Sequence, residues 1–122
     1  MMKKILIIED DKGLMKMLLS LLTDQGYDVV QAFDAMKGVQ LAHKEKPDLI
    51  LLDIMLPAGD GETVISRVRE SVLMSAIPIV VISAIQDEDR KMAILDLDVK
   101  AFIHKPFDKD VLLDTIKQHI GD

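Results

Sequence analysis

Three acidic residues in a row, Glu9-Asp10-Asp11, follow directly on the apolar run Ile5-Leu6-Ile7-Ile8. A second apolar run, Leu49-Ile50-Leu51-Leu52, ends in Asp53; a third, Ile79-Val80-Val81-Ile82, ends in Ser83-Ala84; a shorter one, Phe102-Ile103, leads into His104-Lys105-Pro106. If the ends of these runs meet, carboxylates gather with one hydroxyl and one ammonium. Like charges at close range oppose one another unless a cation lies among them. Oxygen donors, in a chain with no cysteine and no obvious histidine pair, suit a hard ion such as Mg2+ or Mn2+. Lys105 can offset a further negative charge, and the Ser83 hydroxyl with nearby backbone N–H groups can hold the oxygens of a tetrahedral anion. That is the equipment of phosphoryl transfer, where positioning and charge neutralisation carry most of the chemistry. Asp53 is the best candidate nucleophile, because the strand before it presents its carboxylate rigidly.

The pattern around these residues predicts the frame that brings them together. Short apolar segments at Lys4–Glu9, Asp28–Ala32, Asp48–Asp53, Pro78–Ser83 and Val99–His104 read as strands. Four of the five are nearly continuous in Ile, Val and Leu, as in a parallel sheet covered on both faces. Between them lie amphipathic stretches at Asp11–Gln25, Asp34–Glu45, Gly61–Val72, Asp87–Asp96 and Asp108–Ile120. Leu14, Met15, Leu18, Leu19 and Leu22 share one helical face, and Gly26 supplies a stop. Met36, Val39 and Ala42, then Val64, Ile65 and Val68, then Ala93 and Ile94, then Val111, Leu112, Ile116 and Ile120 mark the other faces. Asp34, Asp87 and Asp108 stand where a helix N-cap is useful, and Asp11 reads as a helix-start acid. Five strand–helix repetitions predict an α/β fold: a doubly wound, three-layer, five-stranded parallel sheet with right-handed crossovers. In such a sheet, ligands bind at the carboxyl ends of the strands, which is where the acids, Ser83 and Lys105 fall.

Taken together, Ile5–Asp11, Asp48–Pro57 with Asp60-Gly61, Pro78–Ala84 and Phe102–Phe107 resemble the response-regulator receiver domains of two-component signalling, in order and over the full length. The resemblance implies a flavodoxin-like receiver fold with strand order 2-1-3-4-5, formed as one domain by residues 1–122. It implies that Asp53 is the phosphoacceptor and that Asp10, Asp53 and the backbone carbonyl of Met55 ligate Mg2+, with Glu9 acting through water. Ser83, the Ala84 N–H and Lys105 would bind the phosphoryl group. The Lys105–Pro106 peptide would be cis. Phe102 would be the switch aromatic, turning inward as Ser83 moves toward the phosphate. The implied partners are a sensor histidine kinase or phosphotransfer protein and a downstream effector. The face of the fourth helix, fifth strand and fifth helix would carry the output, and a homodimer could form there. The domain would drive its own phosphorylation and have no independent substrate.

The sequence departs from the usual pattern at Asp98-Val99, where the family favours Gly-Ala. Asp adopts the left-handed conformation less readily than Gly, which predicts strain or reshaping there. Met55 and Ile85, both apolar, would flank the phosphoryl group and hold water poorly, implying a long-lived phosphorylated state. Met15, Met17, Met36 and Met92 read as core filler. His43, His104 and His119 have no evident chemical role.

Other functions fit less well. A pseudo-receiver, a pure interaction module, predicts a damaged pocket. An aspartyl phosphatase wants a second Asp two positions after the first, where this chain has Met55. A flavodoxin-type flavin site needs a loop after strand one that welcomes phosphate, and Glu9-Asp10-Asp11 would repel it. The net charge of −6, with fifteen basic residues scattered along the chain, argues against direct nucleic-acid binding. No apolar run is long enough to span a membrane, and Met1–Ile8 lacks the length and cleavage site of a signal peptide. With no disulfide framework possible, these features agree with a cytoplasmic location.

Overall fold

Ile5–Ile8, Leu49–Leu52 and Ile79–Ile82 are apolar at every position because each of these strands is covered on both faces, and all twelve residues are fully buried. The computed structural model describes residues 2–56 and 61–121. Pro57 and Asp60 of the matched pattern lie outside the described residues, as do Met1 and Asp122 at the ends of the chain. The elements run in strict alternation: β1 (Lys4–Ile8), α1 (Lys12–Asp24), β2 (Asp28–Ala32), α2 (Ala35–Glu45), β3 (Leu49–Asp53), α3 (Gly61–Glu70), β4 (Ile79–Ser83), α4 (Glu88–Leu95), β5 (Ala101–His104) and α5 (Lys109–Ile120).

All pairings are parallel, in the order β2-β1-β3-β4-β5. Alternation along each strand divides the core in two. Leu6, Ile8, Ile50, Leu52, Ile79 and Val81 face α2, α3 and α4. Ile5, Ile7, Leu49, Leu51, Val80 and Ile82 face α1 and α5. The register sets Ile8 beside Leu52, and Asp53 beside Ile82. The residues just past these strand ends therefore share one rim.

Helix starts at that rim are fixed by carboxylates. Asp11, Asp34, Asp87 and Asp108 are all N-caps, accepting from the N–H groups of Leu14, Lys37, Asp89 and Asp110 at 2.7–2.9 Å. At the opposite end, Gly26 adopts φ 90 and closes α1.

Several expected core positions face outward instead. Met36 is 74% exposed and Met92 is 56% exposed. At 3.6 residues per turn, each sits two positions from a buried helical residue, Gly38 and Ile94, and so points to the far side. Ala93 and Val111 are also exposed. α3 ends at Glu70, and Val72, expected within it, is 93% exposed in the following turn.

The expectation at Asp98 is met. Its φ is 66, and the chain holds this left-handed turn from outside. Arg69, on α3, donates from Nε and Nη2 to the Asp98 carbonyl at 3.0 and 2.8 Å, and from Nη1 to the carbonyls of Ser75 and Ile77 at 3.0 and 2.8 Å.

Candidate functional site

β1 delivers Glu9 by continuing its ladder one residue past the strand, with the Glu9 N–H donating to the Ala32 carbonyl at 3.0 Å. The Glu9 side chain is fully buried. Its Oε2 accepts from the Asp11 N–H at 3.0 Å and its Oε1 from the Lys105 ammonium at 2.8 Å. Asp53, the last residue of β3, is only 4% exposed. Its Oδ1 accepts from the Met55 N–H at 3.0 Å, an Asx-type turn, and its Oδ2 accepts from Lys105 Nζ at 2.9 Å.

The floor beneath Asp53 is tightly built. The Gly61 N–H donates to the Ile54 carbonyl at 2.8 Å. A Cβ at Gly61 would lie 2.7 Å from Ile54 Cα and 2.8 Å from the Asp53 carbonyl oxygen. Those are backbone atoms with no room to yield, so α3 starts against the end of β3 only because this residue has no side chain.

Asp10 is exposed, and one carboxylate oxygen from each of Glu9, Asp10 and Asp53 falls within 4.8 Å of the others. Three carboxylates and the Lys105 ammonium leave two net negative charges, the charge of one divalent cation. The donor set is all oxygen, as a hard ion requires, so Mg2+ fits. Asp10, the exposed member, and Asp53 could hold it; Glu9, fully buried against Lys105 and the Asp11 N–H, would act from behind.

The electrostatics follow from burial. Desolvation pushes the Glu9 carboxyl up to about 7, against the opposing pull of Lys105 and the Asp11 N–H. Burial alone would lower the Lys105 ammonium, but its hydrogen bonds with Glu9 and Asp53 outweigh that and raise it, so it stays charged.

On the other wall, Ser83 is fully buried, and its Oγ accepts from the Ile85 N–H at 3.2 Å. The hydroxyl is thus engaged by its own loop. Ala84 is exposed beside it. The Ser83 carbonyl accepts from the Lys105 N–H at 2.9 Å, extending the β4–β5 ladder to the site. The Lys105–Pro106 peptide is cis. Phe102 is half-buried against the α2–α4 side of the core. Of the two apolar residues expected to flank the site, Ile85 is buried in that same core, while Met55 is exposed.

Two polar anchors near the site are illegible in the sequence. Arg90 of α4 donates to the Glu62 carboxylate of α3 at 2.9 and 3.3 Å. Lys91 of α4 places Nζ 5.5 Å from the centroid of the Phe102 ring. Neither pair has a helical or strand spacing that would join it. The Met55 N–H on Asp53 did have a signal, since an Asp at a strand end commonly binds the amide two residues on.

The family model for the response regulator receiver domain matches residues 5–117. The chain belongs to that family. Among curated receiver-containing relatives, it is 38% identical over 116 residues to the DNA-binding dual master transcriptional regulator RpaA of Synechocystis. That match covers 95% of this chain and 48% of the relative, so the chain spans about half the length of the protein it matches. Solved receiver domains superpose closely. One CheY-like receiver domain protein from Methanospirillum hungatei gives a TM-score of 0.92 at 26% identity, covering 98% of this chain and 94% of its own. The beryllofluoride-activated N-terminal receiver domain of RstA from Klebsiella pneumoniae gives 0.90 at 29% identity, covering 98% and 100%. The receiver domain of a sensor histidine kinase from Pseudomonas aeruginosa, with magnesium in its active-site cleft, gives 0.91 at 24% identity over the whole of both chains. Among the described residues of this receiver domain, no helix is long and apolar enough to cross a membrane.

Proposed function

We propose that this receiver domain is a phosphorylation-operated switch, in which Asp53 accepts a phosphoryl group from a phosphohistidine of a sensor kinase or phosphotransfer protein. The observation that carries the reading is the grouping of one carboxylate oxygen each from Glu9, Asp10 and Asp53, with Lys105 donating to Asp53 Oδ2. A carboxylate oxygen of Asp53 attacks phosphorus, the P–N bond breaks, and its electron pair returns to the imidazole. Mg2+, held by Asp10, Asp53 and the Met55 carbonyl, would neutralise charge on the attacking carboxylate and the transferring group. Lys105 binds one phosphoryl oxygen, while the Ser83 hydroxyl and the Ala84 N–H bind others.

For that, the Ser83 hydroxyl donates its O–H to a phosphoryl oxygen while its Oγ still has lone pairs to accept from the Ile85 N–H; the movement of Ser83 toward the phosphoryl group gives the switch its first moving part. Phe102 follows inward, and the face formed by α4, β5 and α5 changes for a downstream partner or a second copy of the chain. The domain acts on no independent substrate. Its acidic surface and scattered cations favour a protein partner over nucleic acid.

Incubation with acetyl phosphate and Mg2+, followed by intact mass measurement, tests this. The expected result is a single phosphoryl adduct that Asp53→Asn and chelation of the metal each abolish. An adduct that survives Asp53→Asn, or none in the unaltered chain, would overturn the assignment.

A further inference from the structure

Phe102 has two neighbours outside the apolar core against which it packs. The Lys91 ammonium lies 5.5 Å from its ring centroid, within the distance over which a ring face attracts a cation. The His104 ring, two residues along and therefore on the same side of β5, lies 5.1 Å away centroid to centroid and is tilted by 56°, a favourable arrangement for two rings. Phe102 packs against the buried cluster that contains Val81, its register partner on β4, together with Ile85 and Ile94, and Ser83 is fully buried at the end of β4.

We propose that Lys91 is a positioning residue whose ammonium holds the Phe102 ring half exposed and so opposes phosphorylation of Asp53. The idea rests on the reading of Asp53 and Phe102 given above. A ring that turns in beside Ser83 and Ile85 enters a space lined by apolar, buried groups. The ammonium cannot follow it without giving up its water, so the contact exists only while the ring stays out. An interaction made by one of two conformations lowers the apparent affinity of any ligand that needs the other. A half-exposed cation–ring contact corresponds to a bias of about two- to five-fold. His104 makes a tilted ring contact with Phe102 within β5, whereas Lys91 is the contact that crosses from α4 to β5. It therefore ties the position of the helix to the rotamer of the aromatic.

The sign of the effect separates this from general electrostatics. Removing a cation near an anion site should weaken anion binding, whereas releasing Phe102 should strengthen it. In the chain without any phosphoryl mimic, Lys91→Gln is expected to strengthen NMR contacts between the Phe102 ring protons and the Ser83 and Ile85 side chains, and Lys91→Arg to leave them as they are. Unchanged contacts in Lys91→Gln would overturn the proposal. With Mg2+ and beryllofluoride, Lys91→Gln should bind about two- to five-fold tighter than the unaltered chain. The gain should vanish in a Phe102→Leu background, which keeps apolar bulk but has no ring. Equal or weaker binding, or a gain that persists with Phe102→Leu, would overturn it. If the unaltered chain bound no beryllofluoride, the reading of Asp53 would fall, and the ring contacts would still decide the role of Lys91.

Discussion

Lys105 and Asp53 are joined at 2.9 Å through the Asp53 oxygen that the Met55 N–H leaves free, and the same ammonium lies 2.8 Å from Glu9. Two buried carboxylates therefore lean on one cation. Lys105→Met should leave both without it, and Glu9 would keep only the Asp11 N–H. Labelling by acetyl phosphate is expected to slow on the order of 10²-fold, the usual cost of removing one donor from a developing anion. Mg2+ binding, measured by calorimetry, should persist or tighten, because a competing positive charge is gone. Labelling at the unaltered rate would remove Lys105 from the phosphoryl site.

The raised Glu9 carboxyl links metal binding to pH. Its value of about 7 lies above the ordinary 4.5, so in the metal-free fold Glu9 holds a proton more tightly than in the unfolded chain. Stability contributed by this group is therefore greatest below pH 4.5 and declines as pH rises toward 7. A divalent cation reverses the preference, because it favours the ionised form and expels the proton. Mg2+ affinity should fall about 10-fold from pH 8 to pH 6, with proton release on binding. Calorimetry in buffers of different ionisation enthalpy would detect the proton. A Mg2+ affinity independent of pH over that range would contradict the environment assigned to Glu9.

Arg69 and Asp98 separate two kinds of contact. The guanidinium makes four hydrogen bonds to three carbonyls, whereas the two charged groups sit 3.5 Å apart with the Asp98 carboxylate mostly exposed. Bonds from a charged donor are worth about 1.5–3 kcal/mol each before they are shared, and exposed ion pairs about 0–1 kcal/mol. Arg69→Met should cost roughly 2–4 kcal/mol in denaturant unfolding. Asp98→Asn, which keeps a residue tolerant of the left-handed turn, should cost under about 0.5 kcal/mol. Equal losses would mean that the ion pair, not the carbonyl scaffold, holds the turn before β5.

The order of strands and helices was legible because buried parallel strands must be apolar throughout and amphipathic helices must repeat near 3.6 residues. The gathering of Glu9, Asp10, Asp53 and Lys105 was legible for a second reason: in this topology every strand end reaches the same rim. What escaped was set by contacts with no periodicity. Met36 and Met92 are apolar in type, but their positions on the helix point outward. Arg69 reaches a turn 29 residues away, and its one sequence-level hint was an Asp where the backbone wanted Gly. The direction of the Ser83 hydroxyl depends on a local amide at Ile85, which no spacing specifies.

The capping carboxylates at the rim have a consequence for selectivity. A helix N-terminus attracts phosphate through its free N–H groups and the positive end of its dipole. Five helices begin on the edge where a phosphodonor must arrive. At α1, α2, α4 and α5 one or two of those N–H groups are already answered by Asp11, Asp34, Asp87 and Asp108. Four helix starts on this rim thus carry a negative charge of the chain's own, which turns a wandering anion away. An incoming phosphate thus finds fewer unanswered amides to hold it away from Asp53.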